Sequence, residues 1–163
     1  MKKIVLLRHA KSSWDDFNIP DHERPLAPRG WIDMPIMASR LKAKEIIPDV
    51  ILSSTALRAT QTAKIIIQKL ELRKSTLVLE EKLYHASAFE ILDQLRSQSN
   101  KVNTLFLIGH NPGFNGLIAL LGGDIDNLPT SGQFGFTAHI DSWEQLNITN
   151  AKTWYIDYPK KYD

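Results

Sequence analysis

Met1-Lys2-Lys3-Ile4-Val5-Leu6-Leu7-Arg8-His9 opens the chain, and at its centre four consecutive apolar residues stop abruptly at Arg8. A secretory hydrophobic region needs about 7–15 apolar residues, so the stretch does not read as a signal peptide. An apolar run without alternation is how a strand buried on both faces reads. Similar runs recur at 50–52, 77–79 and 105–108, and helical periods lie between them: Met34, Met37, Ala38, Leu41; Ala63, Ile66, Ile67, Leu70; Ala88, Ile91, Leu92, Leu95; Phe114, Leu117, Ile118, Leu121. Strand and helix in regular rotation predict β-α-β units, hence an α/β three-layer sandwich with a mostly parallel sheet covered by helices on both faces. Pro35 predicts a kink or a late start in the first helix, and Pro112 suits a first helical turn. Beyond Gly122-Gly123 two further strands, near 134–140 and 153–158, predict an antiparallel edge strand on that sheet. Trp143, Trp154, Tyr155 and Tyr158 fall there and read as packing residues.

A length of 163 residues predicts one domain, 1–163, without linker or repeat. Twenty Lys and Arg against 18 Asp and Glu leave a formal charge of +2, so no overall field points to nucleic acid or to an anionic membrane. No apolar stretch approaches the roughly 20 residues that span a bilayer, and the chain reads as cytoplasmic. The absence of cysteine removes disulfides, thiolate metal sites and thiol catalysis, which leaves imidazole, carboxylate and hydroxyl as nucleophiles.

Ligands of open α/β sheets bind beyond the carboxyl ends of the strands. Arg8-His9 stands at that edge after the first strand, Ser53-Ser54-Thr55 with Arg58 after the second, Glu80-Glu81-Lys82 after the third, and Gly109-His110-Asn111-Pro112-Gly113 after the fourth. Two guanidiniums and two imidazoles at one edge suit an oxyanion. Ser54 or Thr55 reads as a helix N-cap. Arg58 lies at the unfavourable end of a helix dipole, which invites a functional reason. A metal site is disfavoured, because no His-Glu-x-x-His occurs and the arginines would repel a cation. P-loop, dinucleotide and nucleophile-elbow motifs are missing as well.

Leu7-Arg8-His9-Ala10, Leu52-Ser53-Ser54 with Arg58-Ala59-Thr60-Gln61-Thr62-Ala63, and Gly109-His110-Asn111-Pro112 resemble, in order, the three signature blocks of the histidine phosphatase superfamily, which includes the phosphoglycerate mutases. The block from Asp21 to Gly30, with its Arg24-Pro25-Leu26, resembles the SixA-type phosphohistidine phosphatase branch, and the likeness runs to about Gly123. It implies a phosphoglycerate mutase-like fold and a metal-independent phosphatase without cofactor. His9 would be the nucleophile, and Arg8, Arg58 and His110 would hold the phosphoryl oxygens. Strand neighbours point to opposite faces, so Arg8 and His9 reach one phosphate only if the backbone leaves strand geometry there. Ala10 stands where the family has Gly, which is harmless if φ is negative. The family's general acid maps onto Glu81, with Asp21 and His85 in reserve. Arg24 is a further substrate contact or else a salt-bridge partner of Asp21 or Glu23. Trp14, Phe17 and Lys11 are candidates for the entrance.

The expected partner is a phosphorylated substrate, with histidine-phosphorylated protein as the leading class and small phosphomonoesters as the rival. A non-catalytic phosphoprotein-binding module is the alternative, although it would not need His9. A mutase is disfavoured because little chain is available between Glu81 and Phe106 to close over a retained substrate.

Overall fold

A computed structural model describes residues 1–163. The elements follow the order β1 (Lys2–Arg8), α1 (Pro28–Ala43), β2 (Val50–Ser53), α2 (Leu57–Lys69), β3 (Leu77–Leu79), α3 (Ala88–Arg96), β4 (Thr104–Gly109), α4 (Gly113–Leu120), β5 (Gln133–Ala138) and β6 (Ala151–Asp157). They build one six-stranded sheet in the order β3-β2-β4-β1-β5-β6. β1, β2, β3 and β4 pair in parallel, while β5 is antiparallel to both β1 and β6.

Strand geometry divides the core. Ile4, Leu6, Leu105 and Leu107 point to the face covered by α3 and α4, and Val5, Leu7, Phe106 and Ile108 point to the face covered by α1 and α2. Each helix contributes the apolar stripe its period predicts: Met34, Met37, Ala38 and Leu41 on α1, and Ile91, Leu92 and Leu95 on α3, are all buried. No helix is long and apolar enough to cross a membrane. Trp143 is fully buried and donates its indole N–H to the Val102 carbonyl, so it packs the core.

Three local expectations are corrected. β3 is not buried on both faces: it is the sheet edge, with Val78 45% and Leu79 52% exposed. Pro35 does not delay α1, which begins at Pro28, where a missing N–H is harmless, and continues through Pro35. Neither Ser54 nor Thr55 caps α2. The N-cap position is Ala56, without a side-chain cap, because both hydroxyls are turned toward histidines.

Candidate active site

The β1 ladder ends at Arg8, paired with Gly109, and His9 follows as the first residue outside the strand. His9 is still held by its neighbours: its N–H donates to the Gly109 carbonyl and its carbonyl accepts from Ser131 N–H. Ala10 is buried and is not among the residues with positive φ, so it fits where the family has Gly. Its amide donates to Thr62 Oγ1 at 3.0 Å, and that hydroxyl donates to the Arg58 carbonyl at 2.7 Å. Thr62 therefore ties the stretch after β1 to the first turn of α2.

His9 is 7% exposed and its Nδ1 lies 2.7 Å from the Ala10 carbonyl. A carbonyl only accepts, so the ring proton sits on Nδ1 and Nε2 keeps its lone pair. Burial, opposed by the Ala10 contact and reinforced by the charges of Arg58, Arg8 and Arg24, lowers the imidazole from 6.5 to about 4. His9 is a neutral imidazole with a free nitrogen near neutral pH.

His110 follows β4, its ring centroid 5.1 Å from that of His9. Burial and the neighbouring His9 and Arg58 lower it to about 3. Its Nε2 lies 2.8 Å from Ser54 Oγ, which itself accepts from the Ala56 amide at 3.3 Å. A Ser54 hydroxyl that donates to Nε2 puts the His110 proton on Nδ1. That Nδ1 is buried and without a partner.

The same is true of the two arginines. Arg58 uses Nη1 on the Asp21 carbonyl (2.7 Å) and Nη2 on Asp21 Oδ2 (3.1 Å), but its Nε is buried and unpartnered. Arg8 gives Nη1 to the Leu128 carbonyl at 2.9 Å, and its Nε is buried and unpartnered too. A buried donor without an acceptor costs roughly 1–3 kcal/mol and calls for a reason, of which an acceptor brought by a ligand is one. Both arginines expected to hold a phosphoryl group carry such a donor, and His110 carries a buried, unpartnered ring nitrogen.

Arg58 and His110 open onto a cavity of about 640 Å³, whose lining also includes Trp14, Asp21, Arg24 and His85; Arg8 and His9 are not in that lining, and His9 adjoins it through His110, 5.1 Å away between ring centroids. Asp21 is the carboxylate of this cavity. Burial alone would raise it, but the Tyr84 hydroxyl, the charge of Arg58 and hydrogen bonds from Arg24 and Arg58 hold it well below the usual carboxylate range. It is a fixed anion and a poor proton donor. Glu81 does not come to the cavity: it is exposed on the short 3₁₀ turn Glu81–Leu83, and Glu80 folds back to cap that turn instead. Arg24 does line the cavity, but its guanidinium is already bound to Asp21, Ser12 Oγ and the Ser13 carbonyl, so its salt-bridge reading is the one the contacts favour. Phe17 and Lys11 are exposed and lie outside the lining. No group of three metal-ligating side chains converges.

Sequence reasoning missed Tyr84, which meets Asp21, packs edge-on against His22 and His110, and lies beside Arg58. It missed the roles of Ser54, whose hydroxyl had only a capping reading, and of Thr62, whose hydroxyl had none. Their presence inside the signature blocks was the available signal.

Residues 4–88 match the model of the histidine phosphatase superfamily (branch 1). An uncharacterized chloroplastic protein of Arabidopsis thaliana is 30% identical over 152 residues, covering 88% of this chain and 70% of its own. The crystal structure of SixA from Agrobacterium tumefaciens superposes with a TM-score of 0.81 at 26% identity over 97% of this chain and 98% of that one. The structure of the protein histidine phosphatase SixA complexed with tungstate matches with a TM-score of 0.80 at 24% identity, over 96% and 97% of the two chains.

Proposed function

Because this chain belongs to the histidine phosphatase superfamily and is a phosphatase, we propose that it works through a covalent phosphohistidine on His9, without a metal, and that its substrates are phosphohistidines of proteins. The two buried, unpartnered guanidinium donors, Arg8 Nε and Arg58 Nε, together with the unpartnered ring nitrogen His110 Nδ1, carry the reading. The guanidiniums supply acceptor-seeking N–H groups around a neutral nucleophile, and a phosphoryl group brings three acceptor oxygens. A second solved relative is named as a SixA bound to tungstate, itself a tetrahedral oxyanion.

In the first step the His9 Nε2 lone pair attacks phosphorus in line. The bond from phosphorus to the leaving group breaks, and its electron pair departs with that group. Arg8 and Arg58 neutralise charge on the equatorial oxygens while the group transfers. In the second step a water oxygen attacks phosphorus, the P–N bond breaks, its pair returns to Nε2, the water proton passes to solvent and inorganic phosphate leaves.

The proton inventory supports phosphohistidine over alkyl phosphates. An alkoxide leaves badly without a proton donor; here Asp21 is held as an anion and Glu81 is absent from the cavity lining, so no carboxylic acid stands ready and of the three candidate acids only the His85 imidazole remains at the cavity. A phosphoimidazole has a labile N–P bond and needs less help.

The test uses the whole protein with a histidine-phosphorylated protein, an aryl phosphate and an alkyl phosphate. The expected result is turnover without added metal, fastest on phosphohistidine, with an acid-labile, base-stable phosphoryl label that is lost in His9→Ala. Turnover that survives His9→Ala would refute the covalent route, and equal rates on phosphohistidine and alkyl phosphate would refute the substrate class.

A further inference from the structure

Trp14 is 59% exposed, yet it is not a loose surface side chain. The Arg24 guanidinium lies 3.6 Å from the centre of its ring. Arg24 is itself 6% exposed and locked by Asp21, Ser12 and the Ser13 carbonyl. One face of the indole thus rests on a rigid, buried cation, the geometry of a cation–π stack. Trp14 also lines the cavity that Arg58 and His110 line. Exposed aromatics elsewhere, such as Phe17 at 89%, do not enter that lining.

We infer that Trp14 is a specificity-determining residue, a platform on which the planar leaving group of the substrate stacks. The inference rests on the proposed reaction and adds what the phosphate contacts lack. Arg8, Arg58 and His110 present donors that recognise any phosphoryl oxygen, so they cannot distinguish a planar leaving group from another. A rigid aromatic plane in the lining shared with Arg58 and His110 can, because a ring bonded to a phosphoryl group held by those two residues would enter the cavity that Trp14 also lines. Arg24 then acts as a positioning residue: it holds the indole in place and does not itself contact substrate. This accounts for a buried arginine that lines the cavity with its donors already engaged.

The experiment compares N-phosphorylimidazole with phosphoramidate, two substrates that both break a P–N bond and differ in whether the leaving group is a ring. Trp14→Ala and Trp14→Leu are expected to lower the ratio of kcat/KM, ring substrate over phosphoramidate, by roughly two- to tenfold, the range of an aromatic pair. Trp14→Phe keeps a plane over Arg24 and should hold the ratio within about twofold. Trp14→Leu still covers Arg24 with apolar surface, so a merely structural role predicts that Leu behaves like Phe. An equal loss on both substrates, or a ratio unmoved in Trp14→Leu, overturns the platform. His9→Ala is run alongside: if it keeps turning over phosphoramidate the covalent reading fails, whatever Trp14 does.

Discussion

Protonation of His9 is the perturbation that most directly probes the site. Its imidazole is lowered from 6.5 to about 4, first by burial and then by the charges of Arg58, Arg8 and Arg24. Above 6.5 neither folded nor unfolded chain binds a proton there, and the residue contributes nothing to the pH dependence of stability. As pH falls below 6.5 the unfolded imidazole takes up a proton that the folded one refuses until about 4, so the native state loses ground through that window. The two-pKa linkage gives a loss from His9 of roughly 1 kcal/mol near pH 5.5 and roughly 2–3 kcal/mol near pH 4.5. Urea unfolding of the wild type and of His9→Gln at about pH 7.5, 5.5 and 4.5 isolates the term, since the variant carries no titrating group at that position. The wild type should lose stability relative to the variant by those amounts as the solution is acidified. A difference that stays constant with pH would refute the placement of His9 as a buried neutral nucleophile. The same shift predicts that the ring stays mostly neutral near pH 5.5, where an imidazole at 6.5 would be about nine-tenths protonated. An NMR titration of the His9 ring reads this directly.

Other outcomes follow from single contacts. Ser54→Ala removes the hydroxyl opposite His110 Nε2 and should lower kcat by roughly two- to tenfold, the worth of one hydrogen bond, with Ser54→Thr retaining more activity in steady-state kinetics. Thr62→Val leaves the Ala10 amide without an acceptor and should cost about 1–3 kcal/mol in urea unfolding, while Thr62→Ser keeps most of the stability. Asp157 is fully buried on β6 and pairs with Arg40 and Lys44 of the α1 end. Asp157→Ala should therefore lower stability by about 1–3 kcal/mol without a matching change in KM, because its partners regain solvent more readily than a buried charge would.

The fold was legible because its signals are local. Unbroken apolar runs marked β1, β2 and β4, and helical periods marked the stripes of all four helices. β3 was legible as a strand but not as an exposed edge, since strand order is a property of pairing and not of three residues in isolation. Arg8, His9, Arg58 and His110 were legible because each stands at the carboxyl end of a strand or just inside the helix that follows. Glu81 was a position inferred by alignment to a loop, and the 3₁₀ turn that begins at it leaves its carboxylate in solvent.

The sequence by itself determined the alternation of strand and helix, the sheet edge at which chemistry gathers, and the residue types able to bind and attack a phosphoryl group. Each follows from periodicity or from the intrinsic chemistry of a side chain, and neither depends on distant partners. Tertiary structure alone decided which of those residues remain free. Tyr84 meets Asp21 across 63 positions, Ser54 meets His110 across 56, and Thr62 meets Ala10 across 52. The Tyr84 contact helps make Asp21 a fixed anion, the bonds of Arg24 to Asp21, Ser12 and Ser13 commit it to structure beneath Trp14, and the packing as a whole leaves one buried nitrogen on each of Arg8, Arg58 and His110 without a partner. Whether a polar group is satisfied depends on what the fold packs against it, which no stretch of sequence states.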